Sequence, residues 1–384
     1  MVRVLLCYVS VGSGHQVAAE AIQEGLYFLY GDASEVFCID PLVELWESAP
    51  ALLSTLQTAS LLVAPHIYDR FWRTGGGQDL VKRLVNINLL KDQMVRLVKV
   101  TQPDVIITTH ALATNLVGSV LGGCDARSIF TAAVITDFGV HPYWPQENVD
   151  YYFVAHKDLQ SGLSKLGIGR ERICVTGIPI LPHFSEPLPV HLRAKLSLGQ
   201  QPTLLLIAGG QRLGPYVHSQ FLLKRIVTQL DQLDQDFQLV VIVGANSVLY
   251  KHLLSYTAQL QHLVIPLEVV DNMHEWMQIA DILISKPGGL TMAEALSKGL
   301  PIVILPPGPG QEIANSQFLL QRGVAVTTSV NNVADAVSQL LQNPVQLAAM
   351  QKAAQSLGQP RAALDIAKQV FDLVTRSKIR VSGV

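Results

Sequence analysis

Charge is scarce in this chain. Of its 384 residues only 15% are Asp, Glu, Lys or Arg, 49% are hydrophobic, and the net charge is −2. That composition excludes intrinsic disorder, which needs much charge and few apolar residues. It offers no global basic field, so no nucleic-acid partner is expected. Cysteine is also sparse: Cys7, Cys38, Cys124 and Cys174 include no CxxC pair, so neither a zinc site nor a disulfide framework is signalled. Cys7 and Cys38 lie in apolar runs and read as small core residues, which fits a reducing cytosol. No stretch offers about 18 uninterrupted apolar residues, so no transmembrane helix is expected and any membrane contact is peripheral. Residues 1–8 carry one charge and run straight into a glycine loop, so no signal peptide is expected.

What is present, repeatedly, is an apolar strand followed by a polar or glycine turn. The length suggests two or three domains. Residues 2–9 form a continuous apolar run, the pattern of a strand buried on both faces of a parallel sheet. They feed a loop of Gly12, Ser13 and Gly14, and residues 16–29 then read as a helix, so His15 sits where loop becomes helix. Further strands read at 35–39, 104–108, 128–136, 151–155 and 173–176. Thr108-Thr109-His110 ends one of them; Thr136-Asp137, with His141-Pro142-Tyr143-Trp144, ends another. Ligands of open α/β sheets bind at such strand ends. A lone histidine beside a glycine turn commonly has a structural role. In this position His15 is equally suited to take a proton from a hydroxyl, because imidazole titrates near ~6.5.

Prolines gather at 179–189, which reads as a linker. The second half begins again, with strands at 203–208, 237–243, 263–269, 281–285 and 301–305, a helix at 216–233, and a helical stretch at 333–374 broken at Gly358-Gln359-Pro360. Lys286-Pro287-Gly288-Gly289 follows the strand at 281–285. Residues 291–298 read as a helix with Thr291 as its cap and Glu294 at the capping-box spacing. Glycines let backbone approach a ligand closely, and a helix N-terminus offers N–H groups to an anion such as a phosphate. The same glycines would also serve a plain tight turn. The fold class is therefore α/β, with two Rossmann-like doubly wound domains facing a central cleft of the kind where ligands bind.

Residues 62–100 differ in composition. They hold Arg70, Arg73, Lys82, Arg83, Lys91, Arg96 and Lys99 against Asp69, Asp79 and Asp92, with Phe71 and Trp72 among them. Basic residues beside exposed aromatics suit an anionic bilayer surface. A helical hairpin packed on its own sheet, with solvated charges, fits the same pattern.

The glycine loop with His15, the TD-x-x-x-HP-x-W segment at 136–144, GIPI at 177–180 with FSEP at 184–187, AGG at 208–210 and SKPGGLTMAEAL…GLPIVI…PGQEIANS at 285–316 follow one another in a fixed order. Together they resemble the monogalactosyldiacylglycerol synthases and the processive diacylglycerol glucosyltransferases, relatives of the MurG-type transferases, over roughly residues 2–370. The resemblance implies a GT-B fold, with an acceptor and membrane-docking domain at 1–180, a linker at 181–200, a UDP-sugar domain at 201–360, and a C-terminal helix at about 360–376 packing back on the first domain. It implies inverting transfer of a hexose from UDP-glucose or UDP-galactose to the hydroxyl of 1,2-diacylglycerol, with no metal or other cofactor. His15, with Asp137, matches the catalytic positions; Gly14 and His141 match the acceptor side. Gly209 and Gly210 match a loop near the donor phosphates, Met273 the neighbour of the uracil, and Gly288, Gly289 and Leu290 the pyrophosphate turn. Glu294 matches the acid that holds the ribose; Gln311, Glu312 and Asn315 match sugar and phosphate contacts. Arg70, Phe71, Trp72, Arg73, Lys82 and Arg83 then fall on the docking face, at the inner side of the cell membrane.

The loop Ala208-Gly209-Gly210-Gln211-Arg212-Leu213-Gly214-Pro215 departs from the family's GGGxGxGP, which puts its phosphate contact in question. Three other functions share the fold: a MurG-like transferase acting on a polyprenyl-linked acceptor, a UDP-sugar 2-epimerase, and a non-catalytic UDP-sugar sensor.

Overall fold

The computed structural model describes residues 1–10, 13–43, 87–121, 129–146, 148–208 and 220–382. The chain forms two compact units. One is Met1–Pro182 with Pro309–Gln311 and Gln359–Val384; the other is His183–Gly308 with Glu312–Gly358.

In the first unit the apolar runs become β1 (Val2–Cys7), β2 (Ser34–Ile39), β3 (Val105–Thr108), β4 (Phe130–Val134), β5 (Tyr151–Val154) and β6 (Ile173–Val175). All pair in parallel, in the order β2-β1-β3-β4-β5-β6. Helices α1 (Ser13–Tyr30), α2 (Ile87–Thr101), α3 (Ala111–Leu121) and α4 (Asp158–Lys165) belong to this unit. Strand side chains alternate between two faces, and both faces are covered. Val4, Leu6, Val105, Ile107 and Val134 pack with Ala19, Ile22 and Leu26 of α1. Leu5, Cys7 and Ile106 pack with Met94 of α2 and Ala113, Leu116 and Val117 of α3.

The second unit repeats the plan with β7 (Thr203–Ile207), β8 (Gln238–Ile242), β9 (Leu263–Leu267), β10 (Ile282–Ser285), β11 (Ile302–Ile304) and β12 (Ala325–Thr327). Their order is β12-β11-β10-β7-β8-β9. The helices are α5 (Leu192–Lys195), α6 (Gln220–Asp231), α7 (Ser247–Thr257), α8 (Met273–Ile279), α9 (Gly289–Ser297), α10 (Gln311–Gln321), α11 (Val333–Leu341) and α12 (Pro344–Leu357). A last helix, α13 (Ala362–Ser382), falls in the first unit. Its Ile366, Ala367, Val370 and Val374 join the core of β1, β3 and β4. Gly25 permits this: a Cβ there would come within 3.1 Å of the Ala363 carbonyl oxygen, so α1 and α13 meet backbone to backbone.

An aspartate standing just before a strand closes the ladder at three places. Asp104 accepts from the Arg3 amide at 2.8 Å, Asp150 from the Thr131 amide at 2.7 Å and hydroxyl at 2.8 Å, and Asp281 from the Thr203 amide at 2.8 Å. Each amide belongs to the neighbouring strand, so the carboxylate supplies the acceptor the ladder lacks at its end.

Each sheet has one point where the strand order reverses direction. In the first it lies between β1 and β3; in the second, between β7 and β10. Side by side, the loops leaving those strands open a crevice at the carboxyl edge. His15 and His110 follow β1 and β3, and Ala208 and the Lys286-Pro287-Gly288-Gly289 turn follow β7 and β10.

Local details differ from the sequence reading. Helix α1 starts at Ser13, which puts Gly14 and His15 inside its first turn rather than ahead of it. Helix α9 starts at Gly289 with Gly288 as N-cap and no side-chain cap, so Thr291 is not the cap. Glu294 stands a full turn too deep for a capping box and points its burial inward instead. The stretch 333–374 is broken twice, the unforeseen break falling before Pro344, where Asn343 caps α12 by accepting from the Gln346 amide. Of the stretch 62–100 the structure describes residues 87–100, in α2, where Met94 is buried and Arg96 and Lys99 are exposed.

Removing the side chain that ties α13 to the first sheet should be costly. Ile366→Ala, at a wholly buried position, is expected to lower stability by about 2–5 kcal/mol. Urea unfolding followed by circular dichroism checks this; an unchanged midpoint would mean α13 is not part of that core.

Candidate active site

At the switch point of the first sheet, the His15 Nδ1 lies 2.8 Å from the Thr109 carbonyl oxygen and 3.0 Å from the Thr136 hydroxyl. The Thr109 hydroxyl donates back to the His15 carbonyl at 2.8 Å. A carbonyl oxygen can only accept, so Nδ1 of His15 carries the ring hydrogen and Nε2 keeps a free lone pair. Burial lowers the His15 pKa, while the negative charge of Asp137 and the hydrogen bond to Thr109 act the other way. The ring is therefore neutral near pH 7, with its basic nitrogen at Nε2.

Two more imidazoles stand beside it. The His110 ring lies edge-on to that of His15, centroids 4.5 Å apart and planes at 87°. Its Nδ1 accepts from the Leu112 amide at 3.0 Å. His141 Nδ1 accepts from the Tyr143 amide at 3.0 Å. Both rings are held in the uncharged form: His110 well below the usual histidine range by burial and then by the nearby His15 and His141, His141 down to about 4 by burial and then by His15.

At the switch point of the second sheet, Gly288 is extended (φ −70°, ψ 134°), so its conformation is open to any residue. Among the described residues, a Cβ on it would meet nothing within 4 Å. Neither backbone strain nor packing requires glycine there; what glycine leaves is open space at the uncapped start of α9. The turn is braced from α10. Asn315, fully buried, donates to the Pro287 carbonyl at 3.0 Å. Glu312 pairs with Lys286 at 3.0 Å and accepts from the Gly308 amide at 2.7 Å. Glu294 is 8% exposed, makes no hydrogen bond through its carboxyl among the described residues, and burial pushes its pKa up to about 8. A buried carboxyl without a partner is costly unless something else supplies one.

Thus His15, Asp137 and His141 come together in the first unit, and Gly288, Gly289, Glu294, Glu312 and Asn315 share β10, α9 and α10 in the second. Leu290 is half-buried in the first turn of α9, Gln311 opens α10, and Met273 opens α8. Both Glu312 oxygens are engaged by the protein itself. Gly209 and Gly210 lie outside the described residues, as do Arg70, Phe71, Trp72, Arg73, Lys82 and Arg83. Thr109, Thr136 and His110 were not singled out as site residues from the sequence. The signal available was the polar cluster Thr108-Thr109-His110 at a strand end. Among the described residues no group of three or more His, Cys, Asp or Glu is gathered as a metal site needs, and no helix is long and apolar enough to cross a membrane.

Residues 15–180 match the monogalactosyldiacylglycerol (MGDG) synthase family, and residues 206–370 match the glycosyltransferase family 28 C-terminal domain. A processive diacylglycerol β-glucosyltransferase of Bacillus subtilis is 30% identical over 362 residues, covering 91% of this chain and 90% of its own. Among solved structures, MurG of Acinetobacter baumannii superposes with a TM-score of 0.60 at 16% identity, covering 98% of this chain and all of its own. A UDP-GlcNAc 2-epimerase of Neisseria meningitidis bound to UDP-GlcNAc gives 0.63 at 16% identity, covering 96% and 100%. These two establish the GT-B-type fold. With the full-length match to the Bacillus enzyme, the chain belongs to the family of glycosyltransferases that comprises the MGDG synthases and the processive diacylglycerol β-glucosyltransferases.

Proposed function

We propose that this glycosyltransferase moves a hexose from UDP-glucose or UDP-galactose to the free hydroxyl of 1,2-diacylglycerol with inversion, making a β-monoglycosyldiacylglycerol. The observation that carries the reading is the His15 ring, neutral, with Nδ1–H fixed by a backbone carbonyl and Nε2 left as the base. A non-catalytic sensor has no need of a poised proton acceptor, and an epimerase would need further acid and base groups around the sugar ring.

The step is a single displacement. Nε2 takes the proton of the acceptor hydroxyl, the oxygen attacks the anomeric carbon, and the bond from that carbon to the diphosphate oxygen breaks with its electron pair on UDP. Asp137 stabilises the imidazolium that forms. On the donor side, the free N–H groups at the start of α9 stabilise the charge that develops on the leaving diphosphate, the task a metal ion performs in other transferases. Glu294 takes the ribose hydroxyls, which give its carboxylate the partners it otherwise lacks. Met273 lies beside the uracil, and Asn315, by bracing Pro287, holds the turn in register for the phosphates. Gln311 reads the sugar. Arg70, Phe71, Trp72, Arg73, Lys82 and Arg83 hold the protein to an anionic bilayer, at the cytoplasmic face, from which diacylglycerol reaches His15. Transfer to diacylglycerol in anionic vesicles, against no transfer to a polyprenyl-linked acceptor and no epimerised UDP-sugar in the absence of lipid, separates this reading from its rivals.

Two outcomes follow. His15→Ala should lower kcat by about 10²–10⁴-fold with the fold intact by circular dichroism. Because the His15 pKa is depressed, the base stays unprotonated as pH falls through the ordinary histidine range, so the acid limb of kcat/KM should lie below ~6.5. A variant of near wild-type activity, or an acid limb above neutrality, would remove His15 as the base.

Glu294→Ala should weaken UDP binding by about 10–100-fold, the worth of hydrogen bonds to a charged group. In the free protein its carboxyl titrates at about 8, and ribose hydroxyls donate more strongly to the ionised form. Binding therefore lowers that pKa and releases a proton below pH 8, so UDP affinity rises with pH up to that point. Calorimetry in buffers of different ionisation enthalpy measures the release; wild-type affinity in the variant would reassign Glu294 to packing.

A further inference from the structure

We propose that His110 is a positioning residue for the transfer, a ring set edge-on against His15 and kept uncharged by its own backbone so that His15 is the one ring of three free to accept a proton. The inference rests on His15 being the base and adds a residue to that reading.

His110 is the N-cap of helix α3: the Thr114 amide donates to the His110 carbonyl at 3.0 Å, and the Leu112 amide donates to the His110 Nδ1 at 3.0 Å. A nitrogen that accepts a hydrogen bond carries no hydrogen, so the neutral His110 ring has its hydrogen on Nε2. His141 is fixed the same way by the Tyr143 amide. Charging either ring would place a second N–H against that amide and break the bond. His15 is the opposite case. Its Nδ1–H already donates to Thr109, and adding a proton at Nε2 leaves that bond untouched and strengthened. Of the three imidazoles that share the pocket, the backbone penalises charge on two and accommodates it on the third.

Among the described residues, the titratable groups facing His15 are Asp137, His110 and His141, and those facing His110 are His15 and His141. A charged His110 would oppose the imidazolium that the transfer must form at His15. The perpendicular contact, centroids 4.5 Å apart, also limits rotation of the His15 ring about its own axis, holding Nε2 in one direction.

The bland alternative is that His110 is only a helix cap, and one substitution separates the two. Asparagine is among the best N-caps and can accept from the amide two residues on, as Asp40 does from Leu42 at 2.8 Å. His110→Asn thus keeps the cap of α3 and removes the ring. The expected result is an unchanged melting temperature, kcat lower by about tenfold or more, an unchanged KM for UDP-glucose, and an acid limb moved up toward ~6.5. Wild-type kcat and pH profile in His110→Asn overturn the inference. If His15→Ala is inactive while His110→Asn is not, this inference fails and the base assignment stands; if His15→Ala keeps activity, the base assignment itself fails. Long-range proton–nitrogen NMR on the wild-type protein with ¹⁵N-histidine decides the matter independently of folding of the variants. At neutral pH His15 should show the Nδ1–H tautomer and His110 the Nε2–H tautomer. The same tautomer on both, or a charged His110, refutes it.

Discussion

The hydrogen bond from His15 Nδ1 to the Thr109 carbonyl, 2.8 Å long, is the constraint on which the acceptor half of the site depends. It joins the first turn of α1 to the end of β3 across the reversal point of the sheet. In doing so it sets the tautomer, the ring orientation and the identity of the basic nitrogen with one backbone atom. The Thr109 hydroxyl returns a second bond to the His15 carbonyl, so the pair is locked in both directions. None of this would hold if β1 and β3 were not neighbours, and their pairing follows from the buried apolar runs of which both are made.

The second unit uses the same topology for a different purpose. Among the described residues, its reversal point carries no base but a helix start without a side-chain cap, open space beside Gly288 and a carboxyl without a hydrogen-bond partner. Helix termini normally find caps, and buried carboxyls normally find donors. Both departures occur within one short helix, and the proposed UDP-sugar, which brings an anion and hydroxyl groups together, would resolve both. Under the proposed function, acid–base chemistry in one unit and charge stabilisation in the other are the two parts of a glycosyl transfer.

Much of this was legible in the sequence. Strands buried on both faces announce themselves as unbroken apolar runs, and β1, β3, β7, β8 and β10 were readable for that reason. Strand β12, three residues long, has no such run, and the helix break before Pro344 was hidden by apolar periodicity on both sides of it. In the sequence Gly288 and Gly289 read as turn and Thr291 with Glu294 imitates a capping box, so the pattern puts the start of α9 later than Gly289. Spacing cannot show that Glu294 faces inward. His15 and Asp137 could be found from their place after strands. The role of Thr109 and the opposed tautomers of His15 and His110 could not, since they rest on atoms from β3, α1 and α3 meeting in three dimensions.

The proposed function is an inverting hexosyl transfer to diacylglycerol driven by a histidine base and a helix terminus. Its most direct test is the anomeric configuration of the product, formed from the α-linked UDP-sugar on diacylglycerol vesicles with a metal chelator present and read from the anomeric proton coupling. A β-glycosyldiacylglycerol is expected, at a rate the chelator leaves unchanged. An α-linked product, or a transfer abolished by the chelator, would contradict it.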